Sequence, residues 1–295
     1  MQASADVKRL RSSSNAFLMA PAALIVVAFL VMPVGYLLLL SFNPPITGEL
    51  RLSTEMTLLN YSRLVSDPFY LTILLRSVGI AAVTTIISAV MGYVLALSLW
   101  RAPKSLKNYL VVLVLAPLLI SVVVRTYGWM VILGDNGVLN NALIYFGVIQ
   151  QPIKIMFTRL AIVIGLVHVF LPFMALSILS SMERIDPAIP EAAKTLGAGP
   201  FAVHRNVIIP LCAPGFAAGF TIVFSLAISA YVTPMLMGSG ATDMITTLIY
   251  QQFMVVYNWH FGAALTTSLL AVTLLLLSLM LYGFARYAGP WLAPR

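Results

Sequence analysis

Charged residues are scarce in this chain, and their scarcity excludes a soluble globular domain. Only 9% of the 295 residues are charged, against about 25% in soluble domains. Hydrophobic residues make up 61% of the sequence, and the mean hydropathy is +0.99. The net charge of +8 would suit nucleic-acid binding. The positions of Lys and Arg along the chain instead indicate membrane topology, so no nucleic-acid partner is expected.

Cysteine is nearly absent too, which excludes an internal disulfide framework and a cysteine-rich metal site. Cys212 lies in an apolar run, where we expect a small buried packing residue. The sequence contains no P-loop, no His-Glu-x-x-His and no Gly-x-Ser-x-Gly. The three histidines show no ligand spacing, and we interpret His168 as a packing residue. We therefore expect no catalytic residue, no metal, no cofactor and no enzymatic activity on this chain.

Long apolar runs dominate what is present. A membrane-spanning helix needs about 20 mostly apolar residues, and six segments qualify: 16–41, 71–99, 109–133, 160–181, 207–232 and 262–286. The first run is too long for a signal peptide and has no evident cleavage site, so we interpret it as a retained first span behind a tail, residues 1–15. Residues 138–150 predict an interfacial or re-entrant helix. The fold class is thus all-α, a single polytopic membrane domain over residues 16–295.

The distribution of Lys and Arg predicts the orientation of these spans. With the N-terminus inside, the outside segments hold only Arg51, Arg63, Lys154 and Arg159, and Arg76 and Arg125 lie within spans. The inside segments hold the others: Lys8, Arg9, Arg11, Arg101, Lys104, Lys107, Arg184, Lys194, Arg205, Arg286 and Arg295. We therefore expect both termini in the cytoplasm, and contact of the basic residues with membrane lipid.

Acidic residues are missing from all six predicted spans, which argues against a carrier that relays protons through membrane carboxylates. Arg125, toward the outer end of the third span, is an unusual charge at that depth. It either snorkels or pairs structurally, or it lines a pathway. Ser225 and Ser229, four residues apart on the fifth span, serve either helix packing or a pathway. Gly215 and Gly219 have the spacing that permits close helix contact.

Prolines and aromatic residues add two further expectations. Pro117, Pro172, Pro210 and Pro214 lie in or near spans, which favours a bundle with an internal pathway, because the freed carbonyls need polar partners. Six aromatic residues gather on the outer side and indicate either an interfacial belt or a docking face for an external protein. They are Trp129, Tyr145, Tyr231, Tyr250, Tyr257 and Trp259.

The polar stretch 183–210 interrupts the apolar runs. Pro190 can open a helix, and Glu191 lies in its first turn, near the positive end of the helix dipole. Gly197 can end that helix in a left-handed conformation. Pro200 can start a second short helix that reaches about Asn206. The pattern predicts a helix–glycine–helix elbow, which is either a docking site for another protein or an ordinary interhelical loop.

The same stretch resembles the EAA loop of ABC-importer permeases. That family's pattern is Glu-Ala-Ala, three residues, Gly, nine residues, then Ile-x-Leu-Pro. This chain matches it at Glu191, Ala192, Ala193, Gly197 and Pro210, and it departs conservatively at Val207 and Ile209. The resemblance implies the type I, MetI-like permease fold, with residues 183–206 as the coupling loop. Its ATPase-coupling residues would be Glu191, Ala192, Ala193, Lys194, Gly197 and Arg205.

A second stretch resembles the polyamine branch of these permeases, which imports spermidine and putrescine. Arg125-Thr126-Tyr127-Gly128-Trp129 leads to Asn136-Gly137 and Asn140; the branch has Ala where this chain has Gly128. Leu59-Asn60-Tyr61 and Gln251-Gln252-Phe253 also resemble that branch. Candidate path residues are Arg125, Tyr127, Trp129, Ser225, Ser229 and Tyr231.

The resemblance implies an inner-membrane importer that works by alternating access. Its partners would be a second, different permease subunit, two cytoplasmic ATPases that hold ATP and Mg, and a periplasmic solute-binding protein. Other small solutes, such as γ-aminobutyrate or phosphonates, remain alternatives to polyamines, and Arg125 would favour an anion if it lines the path. A secondary carrier is the alternative from another class.

Overall fold

The computed structural model describes residues 21, 24–45, 48, 52–240 and 244–292, with side chains as far as Arg286. The predicted tail and the start of the first span lie outside the described residues. Within the described part the chain is all-helical, which confirms the fold class. Its helices are α1 Met32–Ser41, α2 Leu59–Ser66, α3 Pro68–Arg101, α4 Lys104–Leu115, α5 Val122–Leu133, α6 Val138–Tyr145, α7 Arg159–Met182, α8 Ala188–Thr195, α9 Pro200–Val203, α10 Ile209–Leu211, α11 Ala213–Ile228, α12 Val232–Met237, α13 Ile245–Met254 and α14 Trp259–Leu292.

Four segments of the described chain are long and apolar enough to cross a membrane by themselves. They are Leu24–Ser41, Pro68–Arg101, Arg159–Met182 and Trp259–Arg286. The number rises to six only if each of two bent helix pairs is counted as one span. The second, fourth and sixth predicted spans are therefore continuous helices, whereas the predicted third and fifth spans are broken.

The predicted third span, 109–133, is not one straight helix. It consists of α4, a 3₁₀ turn at Ala116–Leu119 and then α5. The direction of the chain changes by 92° between Lys104–Leu119 and Val122–Tyr145. Pro117 lies in the turn, and proline both removes an N–H donor and clashes with the preceding helical turn. The sequence predicted freed carbonyls at this proline but not a bend within the span.

The predicted fifth span, 207–232, is also corrected. A helical run from Pro200 to Leu211 meets α11 at an angle of 68°, and the break lies at Cys212. Helix α11 ends at Ile228, so Ser229 lies at its C-cap and Tyr231 lies beyond it. The short helices α2, α12 and α13 connect the predicted spans, and periodicity over so few residues could not reveal them.

Contacts group the chain into two compact units. One comprises Met1–Asp67 with Ile249–Ser268, and the other comprises Pro68–Leu248 with Leu269–Arg295. In the first unit, the Asn60 amide donates hydrogen bonds to the carbonyls of Ser41 and Asn43 at the end of α1. The Tyr61 hydroxyl bonds to Ser41 Oγ at 2.6 Å and to Thr267 Oγ1 at 3.0 Å. The single domain predicted over 16–295 stays a prediction.

Helices α3, α7 and α11 pack against one another and form the core of the second unit. Small residues let these helices approach closely. A Cβ added at Gly92 of α3 would lie 2.8 Å from Met174 Cγ, and one added at Gly219 of α11 would lie 2.5 Å from Met174 Sδ. The close helix contact predicted for Gly215 and Gly219 is therefore confirmed, and its partner is α7.

Candidate functional site

The elbow, residues 183–206, follows directly on the C-terminal end of α7. Asp186 Oδ1 accepts a hydrogen bond from the N–H of Ala188 at 2.9 Å and so starts α8. The helix thus begins two residues earlier than the expected start at Pro190. Pro190 occupies the third position of α8, where its missing N–H still costs no helical hydrogen bond.

Gly197 ends α8 as the sequence predicts. Its φ is +87°, in the left-handed region that favours glycine. Its N–H bonds to the carbonyl of Lys194 at 2.9 Å, and the N–H of Ala198 bonds to the carbonyl of Ala193 at 3.1 Å. This is the Schellman pair of helix-ending hydrogen bonds. The second helix begins at Pro200 as expected, but the helical run continues past Asn206 through a π turn at His204–Ile208.

Most of the predicted coupling residues are exposed to solvent on the elbow. Glu191, Ala192, Lys194, Gly197 and Arg205 are exposed, and Ala193 is half-buried. Three large apolar side chains are exposed beside them: Ile189 by 44%, Leu196 by 88% and Phe201 by 77%. These apolar side chains lie among charged residues and outside the apolar spans. Such a mixed surface is typical of a protein–protein contact.

His204 attaches the elbow to the end of α3. Its Nε2 lies 3.1 Å from Arg101 Nη2, and its Nδ1 lies 2.6 Å from Tyr93 Oη. Because a guanidinium only donates, Nε2 must accept. The proton of the neutral imidazole is then on Nδ1, which donates to the Tyr93 hydroxyl.

Charge and burial keep this imidazole neutral. Burial first, and then the positive charges of Arg101 and Lys194, lower the pKa of His204 from its ordinary value of 6.5. A second contact holds the elbow: Lys107 Nζ of α4 forms an ion pair with Glu183 Oε1 at 2.6 Å. Neither contact has a local signal in the sequence, because each joins residues far apart in the chain, 103 positions for Arg101 and His204.

The elbow and the Asp135 loop lie at opposite ends of α7. The elbow follows Met182, whereas Leu133 packs with Met156 and Ala161 near the other end of the helix. Helix α7 has 24 residues, which corresponds to a length of about 36 Å. A signal transmitted from the elbow would therefore cross the whole thickness of a bilayer along one helix.

Trp129, a predicted path residue of α5, lies in a cluster that this helix forms with α7 and α12. Trp129 packs edge-on against His168, with 5.5 Å between the ring centroids. Thr126 Oγ1 lies 3.4 Å from Thr233 Oγ1. Arg125 is half-buried, and its Nε and Nη1 atoms have no hydrogen-bond partner among the described residues. Tyr127 is 53% exposed.

The predicted serine pair does not join this cluster through its hydroxyls. Ser225 Oγ donates to the carbonyl of Thr221 at 2.7 Å, and Ser229 Oγ donates to the carbonyl of Ser225 at 2.7 Å. Tyr231 is half-buried between α11 and α12. Among the described residues, no group of three or more His, Cys, Asp or Glu side chains is placed to hold a metal ion.

Asn140 of α6 joins the loops before and after this helix, a role for which the sequence carries no local signal. Its Nδ2 donates to the carbonyls of Gly134 and Ile153 at 3.0 and 3.1 Å, and its Oδ1 accepts from the N–H of Ile153 at 2.9 Å. A Cβ at Gly137 would lie 2.6 Å from the carbonyls of Val131 and Ile132. The Asn-Gly-x-x-Asn pattern therefore has a structural basis in this loop.

Comparisons with known proteins agree with the geometry. The family model "Binding-protein-dependent transport system inner membrane component" matches residues 88–293. The spermidine/putrescine transport system permease protein PotB of Salmonella typhimurium (strain SL1344) is 37% identical over 254 residues, 83% of this chain and 88% of that protein. PotB of Escherichia coli (strain K12) is 37% identical over 254 residues, 83% of this chain and 92% of that protein.

A solved structure shows the same fold. It is a bacterial ABC transporter involved in the import of the acidic polysaccharide alginate, with a TM-score of 0.76 at 17% identity, over 97% of this chain and 99% of that chain. At this identity the likeness concerns the fold alone. Together with the family match, it confirms the ABC permease fold predicted from the sequence. The chain therefore belongs to the family of inner-membrane components of binding-protein-dependent transport systems, and it is a multi-pass membrane permease.

Proposed function

We propose that this chain is one of two permease subunits of an ATP-driven importer that moves polyamines such as spermidine and putrescine into the cytoplasm. The second permease subunit would be a different chain. A periplasmic binding protein would deliver the solute, and two cytoplasmic ATPases would hold ATP and Mg. This chain would then carry no cofactor and no catalytic residue, and its spans would alternate between outward and inward access.

The exposed elbow is the observation that carries this proposal. A polar segment that presents Ile189, Leu196 and Phe201 to solvent needs a covering partner, because exposed apolar clusters are unfavourable in water. Its position at the end of α7 suits the transmission of movement into the core of the bundle. With both termini in the cytoplasm, the elbow lies where an ATPase can reach it.

Each predicted coupling residue has a part in this contact. Glu191 would pair with a basic residue of the ATPase, and Lys194 and Arg205 would pair with acidic ones. Ala192 and Ala193 carry no bulk, so the ATPase surface could approach the backbone of α8 closely. Gly197 would set the angle between α8 and α9 through its left-handed conformation.

The polyamine substrate is supported by the names of the relatives, and the proposed path would let a cation cross without carboxylates. Aromatic faces attract cations by about 0.5–2 kcal/mol each, and Tyr127, Trp129 and Tyr231 would supply them. Ser225 and Ser229 would contribute polar atoms. Unpaired Arg125 opposes a cation at close range, and it favours γ-aminobutyrate or a phosphonate as the alternative substrate.

Substitution of Gly197 tests the role of the elbow. Gly197→Val places a β-branched side chain at a φ of +87°, which costs about 1–3 kcal/mol in that conformation. A Cβ there meets no atom within 4 Å, so the effect acts through the backbone and not through a clash. We expect solute uptake to be lost and ATP hydrolysis to become independent of the binding protein, while the amount of chain in the membrane stays the same.

Gly199→Val is the matched control. Gly199 lies two positions further on, at a φ of −65° and a ψ of 162° that valine adopts readily. A Cβ there also meets no atom within 4 Å. Uptake should persist in this variant. Normal uptake by Gly197→Val would refute the proposed role of the elbow.

A further inference from the structure

A long groove runs between α3 and the first turns of α7. Its volume is about 630 Å³, and apolar side chains such as Val83, Ile87 and Leu160 line most of it. Arg76 and Arg159 line the same groove. The groove belongs neither to the elbow nor to the cluster around Arg125, and the proposed transport function makes no use of it.

The two arginines have no counter-charge within the described part of the protein. Neither forms an ion pair there with a carboxylate, and Arg76 Nε is buried without a hydrogen-bond partner. Arg159 is the first residue of α7, so the positive end of that helix dipole adds to the potential. Two like charges in an apolar groove repel each other unless an anion lies between them.

The length of the groove matches one leaflet of a bilayer. From Arg76 to Ile87 the helix advances eleven positions, or about 16 Å at 1.5 Å per residue. Half of a hydrocarbon core of about 30 Å is close to this length. The groove is also open sideways, since Leu75 of α3 is 62% exposed and Val83 of the same helix is 46% exposed.

We propose that this groove binds one anionic phospholipid of the leaflet at the Pro68 end of α3. The phosphate lies between Arg76 and Arg159, and one acyl chain lies along Gly79, Val83 and Ile87. A soluble anion would satisfy the arginines but would leave the apolar length of the groove unfilled. The proposal depends on the membrane location of the chain and not on its substrate.

Native mass spectrometry of the full chain, purified with its co-purifying subunits in mild detergent, tests the charge requirement. The probes are dioleoyl phosphatidylglycerol and dioleoyl phosphatidylethanolamine, which share acyl chains but differ in net charge. Each of Arg76→Gln and Arg159→Gln should weaken phosphatidylglycerol binding about fivefold. Lys154→Gln, which removes an exposed charge outside the groove, should leave this binding unchanged.

A second variant tests the acyl-chain part of the groove without changing charge. A Cβ at Gly79 meets no atom within 4 Å, so Gly79→Leu fills the groove without disturbing the helices. It should abolish the tight phosphatidylglycerol site. Gly283→Leu, at an equally open position outside the groove, should retain it.

Three outcomes would overturn the proposal. One is phosphatidylglycerol binding that neither arginine substitution changes. Another is that water-soluble glycerol phosphate displaces the lipid from the wild-type chain and still binds to Gly79→Leu. This result would indicate a site for free phosphate. The third is efficient cross-linking of a cysteine placed by Gly79→Cys to another subunit, which would show that a protein helix occupies the groove.

Discussion

At the scale of single residues, the elbow depends on a few backbone and side-chain contacts. Gly197 supplies the left-handed turn, and His204 supplies a neutral acceptor for Arg101. The two residues differ in how visible they are in the sequence. A glycine that follows a short helical pattern signals a helix end. A histidine whose partners lie about a hundred positions away gives no local signal.

The contact between Arg101 and His204 predicts a pH dependence of stability. The pKa of His204 is lowered in the fold, so the folded protein takes up this proton less readily than the unfolded chain. At pH values well above 6.5 the imidazole is neutral in both states, so its protonation does not affect the free energy of unfolding. As the pH falls below 6.5, the unfolded state gains the proton first, and the folded state is destabilised.

His204→Gln isolates this effect. The glutamine side-chain oxygen can still accept from Arg101, but it does not titrate. We expect the melting temperature of the wild type to exceed that of the variant at pH 7.5, and the difference to shrink as the pH is lowered to 5. Arg101 and Tyr93 contact the His204 ring directly, and Lys194 and Glu191 line the same pocket. A difference that stays constant from pH 7.5 to 5 would contradict the assigned protonation state.

At the scale of helices, close packing of α11 on α7 decides where the elbow is held. A Cβ at Gly215 would lie 2.6 Å from the Ser177 carbonyl oxygen and 2.6 Å from Ser181 Oγ. The first of these atoms belongs to backbone and cannot rotate away. The small-residue spacing in the sequence therefore reports a real contact near the elbow end of α7.

Gly215→Ala should accordingly destabilise the protein. Overpacking of this kind costs about 1–3 kcal/mol, although alanine is the better helix former. Gly283→Ala is the control, because a Cβ there meets no atom within 4 Å. Thermal unfolding in detergent should show a lower melting temperature for Gly215→Ala and an equal or higher one for Gly283→Ala. Equal melting temperatures of the two variants would refute the tight contact.

The helices themselves were only partly predictable, for physical reasons. Apolar length alone located α3, α7 and α14, since nothing but a continuous span accommodates such runs. Pro117 and Pro210 signalled freed carbonyls, but neither the position nor the size of the 92° and 68° bends followed from these prolines alone. Of the candidate site, α8 and Gly197 followed from local rules, and the proximity of Trp129 to His168 did not.

At the scale of the whole molecule, the chain is a multi-pass membrane permease, and its proposed partners can be tested directly. Purification of the tagged chain should bring down an ATPase and a second permease subunit. In vesicles that contain the assembly, uptake of labelled spermidine should require both ATP and the binding protein, and unlabelled putrescine should compete. Dissipation of ion gradients by an ionophore should leave the rate of uptake unchanged.

The rival mechanism gives the opposite result in the same vesicles. A secondary carrier would accumulate solute with this chain alone, driven by an ion gradient and abolished by the ionophore. Competition by γ-aminobutyrate or a phosphonate, without competition by putrescine, would retain the importer but replace its substrate. The two questions of energy source and substrate are thus answered separately.

The bend between α4 and α5 has a consequence for the work that transport requires. The amides in the first turn of α5 have no partner within the helix. The side chain of Ser121, the N-cap residue, does not accept a hydrogen bond from them. Unpaired amides are costly in hydrocarbon, and such a bend is stable only where water or a polar neighbour reaches it. Water or a polar group must therefore lie beside the first turn of α5, and where it is water, the dry distance that a hydrophilic solute has to cross is shorter than the membrane itself.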